Sequence, residues 1–293
     1  MKYRKSLLSN FFDVMNIIIL VFACIVTIYP LVYVFSMSIS DPDAVLAQEV
    51  FILQKGISFE SYKIVFKNKD IWRAYGNTIW YTVVGTVINV CLTIMGAYAL
   101  SRKHFFIGKE VMLFIAITMF FSGGLIPTFI LINQLGIYNT RWALVLPEAV
   151  NAWNLIIART YFQTAIPDSL PESAKIDGCS DIGILFKVVL PISMPIFSVL
   201  VIFYAVGHWN SWFNAQLYLS NSQLHPLQLF LRKILIMNSP DFMQGMENAF
   251  ERMAYGLMLK YTSIIVATVP ILLVYPFMQK HFVKGVMLGA IKG

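Results

Sequence analysis

Glu172-Ser-Ala-Lys-Ile-Asp-Gly178, followed after nine residues by Val188-Val-Leu-Pro191, is the stretch that decides this chain's architecture. It is an island of charge and helix-capping chemistry between two lipid-soluble runs. Ser169 and Glu172 stand three apart, the spacing of a capping box in which each side chain answers an unpaired N–H of one short helix. Gly178 is placed to end that helix in the left-handed conformation, which costs other residues energy. A second short helix is expected from Asp181, with Ile182, Leu185, Phe186 and Val189 on one face and Pro191 as its end. Two capped helices at a bend on a membrane surface form a rigid knob that another protein can grip.

Working outward, 58% of the 293 residues are hydrophobic and only 13% are charged. A soluble domain carries roughly 25% charged residues. The deficit, with a mean hydropathy of +0.70, places the chain in a bilayer. A net charge of +7 could suggest nucleic acid, but the basic residues stand singly or in pairs at the ends of apolar runs. Membrane flanks explain that distribution better than a phosphate-reading face, so no nucleic-acid partner is expected.

Cys24 and Cys91 lie inside apolar runs and Cys179 lies in the knob, without metal-ligand or C-x-x-C spacing. They are expected to be buried structural thiols. Val21-Phe-Ala-Cys24 faintly resembles a lipoprotein cleavage box, but Phe22 is too bulky for it. Lys2, Arg4 and Lys5 precede an uncharged stretch from Val14 to Ser40, longer than a signal core and without an A-x-A site. A retained first span with a cytoplasmic N-terminus is preferred.

A span needs about 20 apolar residues. Runs at 14–38, 74–101, 110–132, 142–163, 192–219 and 260–280 meet that need, the fourth weakly because it contains Glu148 and Arg159. Either residue can sit near an interface, with Arg159 snorkelling to the cytoplasmic side. The expected fold is an all-α membrane protein of six transmembrane helices, multi-pass, with both termini cytoplasmic. Arg102/Lys103/Lys109, Arg159/Lys175/Lys187 and Lys280/Lys284/Lys292 then fall in inside segments. The segment 39–73 reads as a small external elaboration. The loop from Asn221 to Leu259 contains His225-Pro226, the apolar Leu227–Met237 and Pro240, and reads equally as a partner contact or as a lid packed on the spans. Pro191 and Pro195 flank the start of span five, and Pro270 and Pro276 are expected to interrupt span six. This divides the chain into 1–72 (tail, first helix, external loop), a core at 73–281 holding the loop 168–191, and a cytoplasmic tail at 282–293.

Catalytic and nucleotide-binding motifs are lacking. No P-loop, H-E-x-x-H, G-x-S-x-G or carboxylate cluster occurs, and His104, His208, His225 and His281 are isolated from one another in sequence. An interfacial or core role is expected for each histidine, with no metal site and no enzyme. Proton-driven carriers keep ionisable groups at mid-membrane, and here only Glu148 and Arg159 qualify, at opposite ends of one span. Energy is therefore expected from outside this polypeptide.

The knob resembles the EAA loop of importer-type ABC transporter permeases, whose pattern is E-A-A, three residues, Gly, nine residues, I-x-L-P. Glu172, Ala174, Gly178, Leu190 and Pro191 match in register, while Ser173 replaces the first Ala and Val188 the Ile. Gly96-Ala-Tyr-Ala-Leu-Ser-Arg102, Tyr161-Phe-Gln-Thr-Ala-Ile-Pro167, Trp209-Asn210 and the ending from Gln279 to Gly293 are similar to carbohydrate-uptake permeases, the smaller partner of a two-permease set. Within that family the chain resembles the second permease of alginate importers and related polysaccharide-type permeases. The resemblance implies a permease subunit of the bacterial cytoplasmic (inner) membrane, moving oligosaccharide such as alginate or another acidic polysaccharide fragment. It implies a second permease in a heterodimer, two ATPase subunits that alone hold ATP and Mg, and an extracytoplasmic binding protein. Glu172, Ser173, Ala174, Lys175, Asp177, Gly178, Leu190 and Pro191 would form the ATPase-coupling contact.

For a substrate path, Asn151 and Asn154 with Trp153, and Trp209, Asn210, Trp212 and Asn214 with Gln216, offer amides for hydroxyls and indole faces for sugar rings. Interfacial anchoring by Trp and interhelical bonding by Asn compete with that reading. Peptide or other small-solute cargo, and a self-sufficient secondary carrier, remain as alternatives.

Overall fold

The computed structural model describes residues 7–237 and 249–290, and every regular element among them is helical. The basic residues Lys2, Arg4, Lys5 and Lys292 and the loop residue Pro240 lie outside the described residues. The chain divides into two compact units, Met1–Lys69 with Leu231–Thr268 and Asp70–Phe230 with Val269–Gly293.

In the first unit, helix α1 (Leu7–Ile39) is long enough to cross a bilayer, and its most apolar 18-residue stretch is wholly unburied within the chain. Its apolar surface belongs to lipid or to a partner. The segment after it is ordered by short helices, α2 (Pro42–Leu46) and α3 (Glu60–Lys67). Met37, Val45, Val50 and Met258 form a small core there, beside hydrogen bonds from Thr262 to Ser61 and from Tyr255 to Glu60.

The second unit holds α4 (Lys69–Ser101), α5 (Gly108–Phe120), α6 (Leu125–Gln134), α7 (Trp142–Val145), α8 (Ala152–Ala165), α9 (Ser169–Ile176), α10 (Asp181–Ile192), α11 (Met194–Trp209) and α12 (Phe213–Tyr218). Its main core joins four of them: Ile94 and Ala97 of α4, Ala158 and Phe162 of α8, Leu185 and Val189 of α10, and Leu200 and Tyr204 of α11. Helix α13 (Leu227–Met237) follows, and α14 (Ala249–Ala290) closes the chain.

Among the described residues, three helices are long and apolar enough to span, or up to five if each of two bent pairs is one span. The expected third span is bent by 117° between α5 and α6, where Gly124 takes φ +83°. The expected fourth is not continuous: six residues separate α7 from α8, and α8 has 14 residues, about 21 Å against a hydrocarbon core of about 30 Å. The expected fifth is bent by 89° at Ser193 and broken again after Trp209. Helix α14, in contrast, runs through Pro270 and Pro276 without the expected interruption. A proline deletes one N–H, and in a helix this produces a kink more readily than a stop.

Residues 222–230 are tied down on α4. Asn77 donates to the Gln223 and His225 carbonyls, Tyr81 to that of Leu224, and the Leu227 N–H donates to Thr78. For this part of the long loop the packed reading holds. Cys24 and Cys91 are exposed on helix surfaces, not buried as expected, because an apolar run in a membrane chain faces lipid as readily as protein.

Candidate functional site

The knob begins at Asp168, not at a Ser169 capping box. Asp168 is the N-cap of α9, and no side chain caps this end. Its carboxylate is drawn away to Lys103, 2.8 Å from it, and Arg102, 3.6 Å from it. The Lys103 hydrogen bond holds the Asp168 carboxyl below the usual range, and the same bond raises Lys103. Glu172 in the first turn and Lys175 in the last complement the helix dipole.

The other end of α9 closes as expected. Gly178 takes φ +81°, Cys179 N–H reaches the Ala174 carbonyl (3.0 Å) and Gly178 N–H that of Lys175 (3.1 Å). This is a complete Schellman closure. Ser180 then caps α10 through the Gly183 N–H. Ala174, Cys179 and Leu190 turn toward the main core, leaving Glu172, Ser173, Lys175, Asp177, Gly178 and Pro191 exposed. Lys175 is not free, as a charge awaiting a partner would be; it bridges to Asp181 at 3.4 Å.

Helix α10 does not end at Pro191 but continues to Ile192, and its middle, Ile184–Val189, is a π-helix. The Leu190 N–H bonds the Leu185 carbonyl, five residues back. Pro191 has no N–H to hold an ordinary turn at Lys187. The wider winding also moves the buried face to Ile184, Leu185 and Val189, while Ile182 and Phe186, expected inside, are exposed. Ile176 and Ile182 stand 86% and 72% exposed among the knob's charges. Sequence reasoning passed over Ile176 and set Ile182 on the apolar face of the second helix; the available signal was a lone large apolar residue in each polar stretch.

Two arginines brace the base of the knob. Arg159 donates to the Leu100 carbonyl in the last turn of α4, and Arg102 donates to the Phe162 carbonyl in the last turn of α8, both at 3.0 Å. Each helix supplies the cation that satisfies the other's C-terminal carbonyls.

A second feature is a polar cavity of about 610 Å³ among α4, α5, α8, α11 and the 147–151 segment. Asn89 of α4 organises it. Its Nδ2 donates to the Glu148 carbonyl, so its Oδ1 must accept, and His208 Nε2 is therefore the donor at 2.9 Å. His208 approaches so closely that a Cβ on Gly85 would lie 2.4 Å from its Nε2. Tyr204 shares its hydroxyl between Thr93 (2.7 Å) and the Asn151 N–H (3.2 Å). Asn151 caps α8 through the Asn154 N–H. The Glu148 carboxylate accepts from Asn214 at 2.6 Å.

Of the sequence-predicted path residues, Asn151 and Asn154 line this cavity, as does Trp153. Asn214 reaches it only through Glu148. Trp209, Asn210 and Trp212 do not line it: Asn210 bonds back to the Val206 carbonyl and Trp212 packs against Phe213. Gln216 is exposed. Asn89, Glu148, Tyr204 and His208 were missed as a group, since residues so far apart in sequence give no local signal.

No family model matches the chain. The polygalacturonan/rhamnogalacturonan transport system permease protein YtcP of Bacillus subtilis (strain 168) is 40% identical over 291 residues, 97% of this chain and 99% of that protein. The galactooligosaccharides transport system permease protein GanQ of the same organism is 27% identical over 310 residues, covering 100% of this chain and 99% of that protein. Among solved structures, a chain from a bacterial ABC transporter involved in the import of the acidic polysaccharide alginate superposes with a TM-score of 0.87. Its sequence identity is 33%, with 95% of this chain and 99% of that chain covered. Helical in every regular element among the described residues, apolar, and related to permeases over nearly its full length, the chain is an importer-type membrane permease. It belongs to the permease subunits of carbohydrate-uptake ABC importers. Its work is transport, not catalysis.

Proposed function

We propose that the chain forms half of a transmembrane path for oligosaccharide, and that the knob from Ser169 to Ile192 is the surface on which a separate ATPase subunit pushes. One observation carries this: a Schellman-closed helix with an apolar underside held in the core and an outer surface of Glu172, Lys175, Asp177 and Ile176 exposed. Such an element transmits force because its own hydrogen bonds keep its shape. The two protruding isoleucines are apolar anchors for a cleft, and the charges around them form a polar rim.

On this reading ATP and Mg bind two partner ATPase subunits, a second permease completes the path within a core at 73–281, and an extracytoplasmic binding protein delivers the sugar. The chain lies in the cytoplasmic membrane with both termini in the cytoplasm. Fragments of an acidic polysaccharide are the finer form of the cargo, supported by the polysaccharides named for two of the similar proteins.

Gly178→Val tests the coupling. A Cβ there meets nothing within 4 Å, so the substitution strains only the backbone. In the purified, assembled transporter, uptake should fall at least tenfold while ATP hydrolysis and subunit assembly persist. Full uptake by this variant would remove the knob from the mechanism.

A further inference from the structure

We infer that Glu148 makes the polar cavity a subsite for an uncharged glycosyl unit and keeps uronate carboxylates out of this part of the path. The inference rests on the importer reading above and adds to it which part of the cargo meets this subunit.

Among the described residues, the lining of the cavity carries one carboxylate, Glu148, and no lysine or arginine. Much of the remaining polar capacity is spent inside the protein. Asn89 uses its amide on Glu148 and His208, and Tyr204 shares its hydroxyl between Thr93 and Asn151. The Asn151 Oδ1 is committed to the Asn154 N–H. Glu148 differs. Asn214 takes up Oε1 from one side and orients the group, and Glu148 is itself part of the cavity lining.

A carboxylate accepts hydrogen bonds and donates none. A neutral sugar matches it, because adjacent hydroxyls present two O–H donors to its two oxygens. A uronate does not match, because its carboxylate brings no donor and repeats the charge. Two like charges at contact repel, and no lysine or arginine in the lining offsets them. Trp153 lies on the same lining and is 58% exposed. Its indole face suits the C–H side of a pyranose, so the cavity offers an apolar face and an acceptor edge to one ring. The volume is within the ~300–1,000 Å³ typical of small-molecule sites. A polysaccharide fragment with both acidic and neutral units can thus seat a neutral unit here and carry its charges elsewhere.

The test uses cells carrying the complete transporter and three radiolabelled tetrasaccharides: galactotetraose, tetragalacturonate, and an alternating rhamnose–galacturonate chain. The wild type should take up one or both of the chains with neutral units at least tenfold faster than tetragalacturonate. Glu148→Gln should narrow that ratio at least tenfold and Glu148→Asp should preserve it. The Gln variant keeps the backbone carbonyl that holds Asn89 and an oxygen for Asn214, so the fold has no reason to fail. Should it not reach the membrane, Ala152→Lys, on the same lining, decides: it should raise tetragalacturonate uptake severalfold. Tetragalacturonate as the best wild-type cargo would overturn the inference. So would an unchanged ratio in the variants with ATP-dependent uptake intact, and the importer reading would stand. Uptake of none of the three by the wild type would overturn the oligosaccharide reading, and the inference with it.

Discussion

The knob and the cavity belong to one compact unit but are built on opposite principles. The knob is held by bonds between near neighbours: Cys179 to Ala174, Gly178 to Lys175, Gly183 to Ser180, and Lys175 to Asp181. The cavity is held by groups 59 to 119 residues apart in sequence, Asn89 with Glu148 and His208, and Thr93 with Tyr204. A locally closed element can be pushed as a body without disturbing what lies above it. A network spread over several helices changes only when those helices move. The first suits a lever and the second suits a site that must open and close.

This contrast can be broken most sharply at the two glycines. Gly85→Val drives a side chain into His208, and overpacking of this kind costs about 3 kcal/mol. The thermal midpoint of the purified protein in detergent should drop by several degrees, and uptake should be lost with it. Gly178→Val, which strains the backbone at φ +81° by about 1–2 kcal/mol, should lower that midpoint less. If the knob variant proves the less stable of the two, the division between local and distributed construction is wrong.

A middle-sized effect is expected at the braced base. Arg159→Met leaves the Leu100 carbonyl without its guanidinium donor, a loss of about 1.5 kcal/mol for a charge-assisted bond. The same detergent melt measures it, and no change would mean that water or Arg102 replaces the contact.

The smallest effect concerns the surface pair Asp168 and Lys103. Asp168 has a lowered pKa, so its contribution is present above the ordinary carboxylate value and disappears as pH falls through the lowered one. Lys103 has a raised pKa, so its contribution is lost only as pH rises past the ordinary lysine value. Protease cleavage of the knob should therefore be flat from about pH 5 to about pH 9 and increase only below about pH 4. Lys103→Met should abolish that acid step and change nothing at neutral pH. An acid step above pH 5 would assign the titration to another group.

The same contrast explains what could be read in advance. The Gly178 closure, the helix at Ser169–Ile176 and the permease family were legible because their signals sit within a few residues of one another. Ser169 misled because Lys103 and Arg102, more than 60 positions away, engage Asp168 and leave the helix end to it. The continuous fourth and fifth spans failed for a related reason. Hydropathy counts apolar residues but does not sense that Asn151 caps a new helix or that Ser193 turns the chain. Asn151 and Asn154 were found because amides near a span are conspicuous. Glu148 was noticed as an anomaly in a span, but its role needed Asn214 and Asn89 beside it.

The loosely wound stretch at Ile184–Val189 carries a consequence for how such a lever is aimed. Each residue of an ordinary helix advances the azimuth by about 100°, and a π-turn holds one residue more than an α-turn. Excising a single amino acid there would let the stretch tighten into an ordinary helix with its two ends at nearly the same azimuth, whereas the same excision from an ordinary helical turn would swing the knob by about 100°. The aim of the knob is thus buffered against the loss of one residue in this stretch and in no ordinary turn beside it.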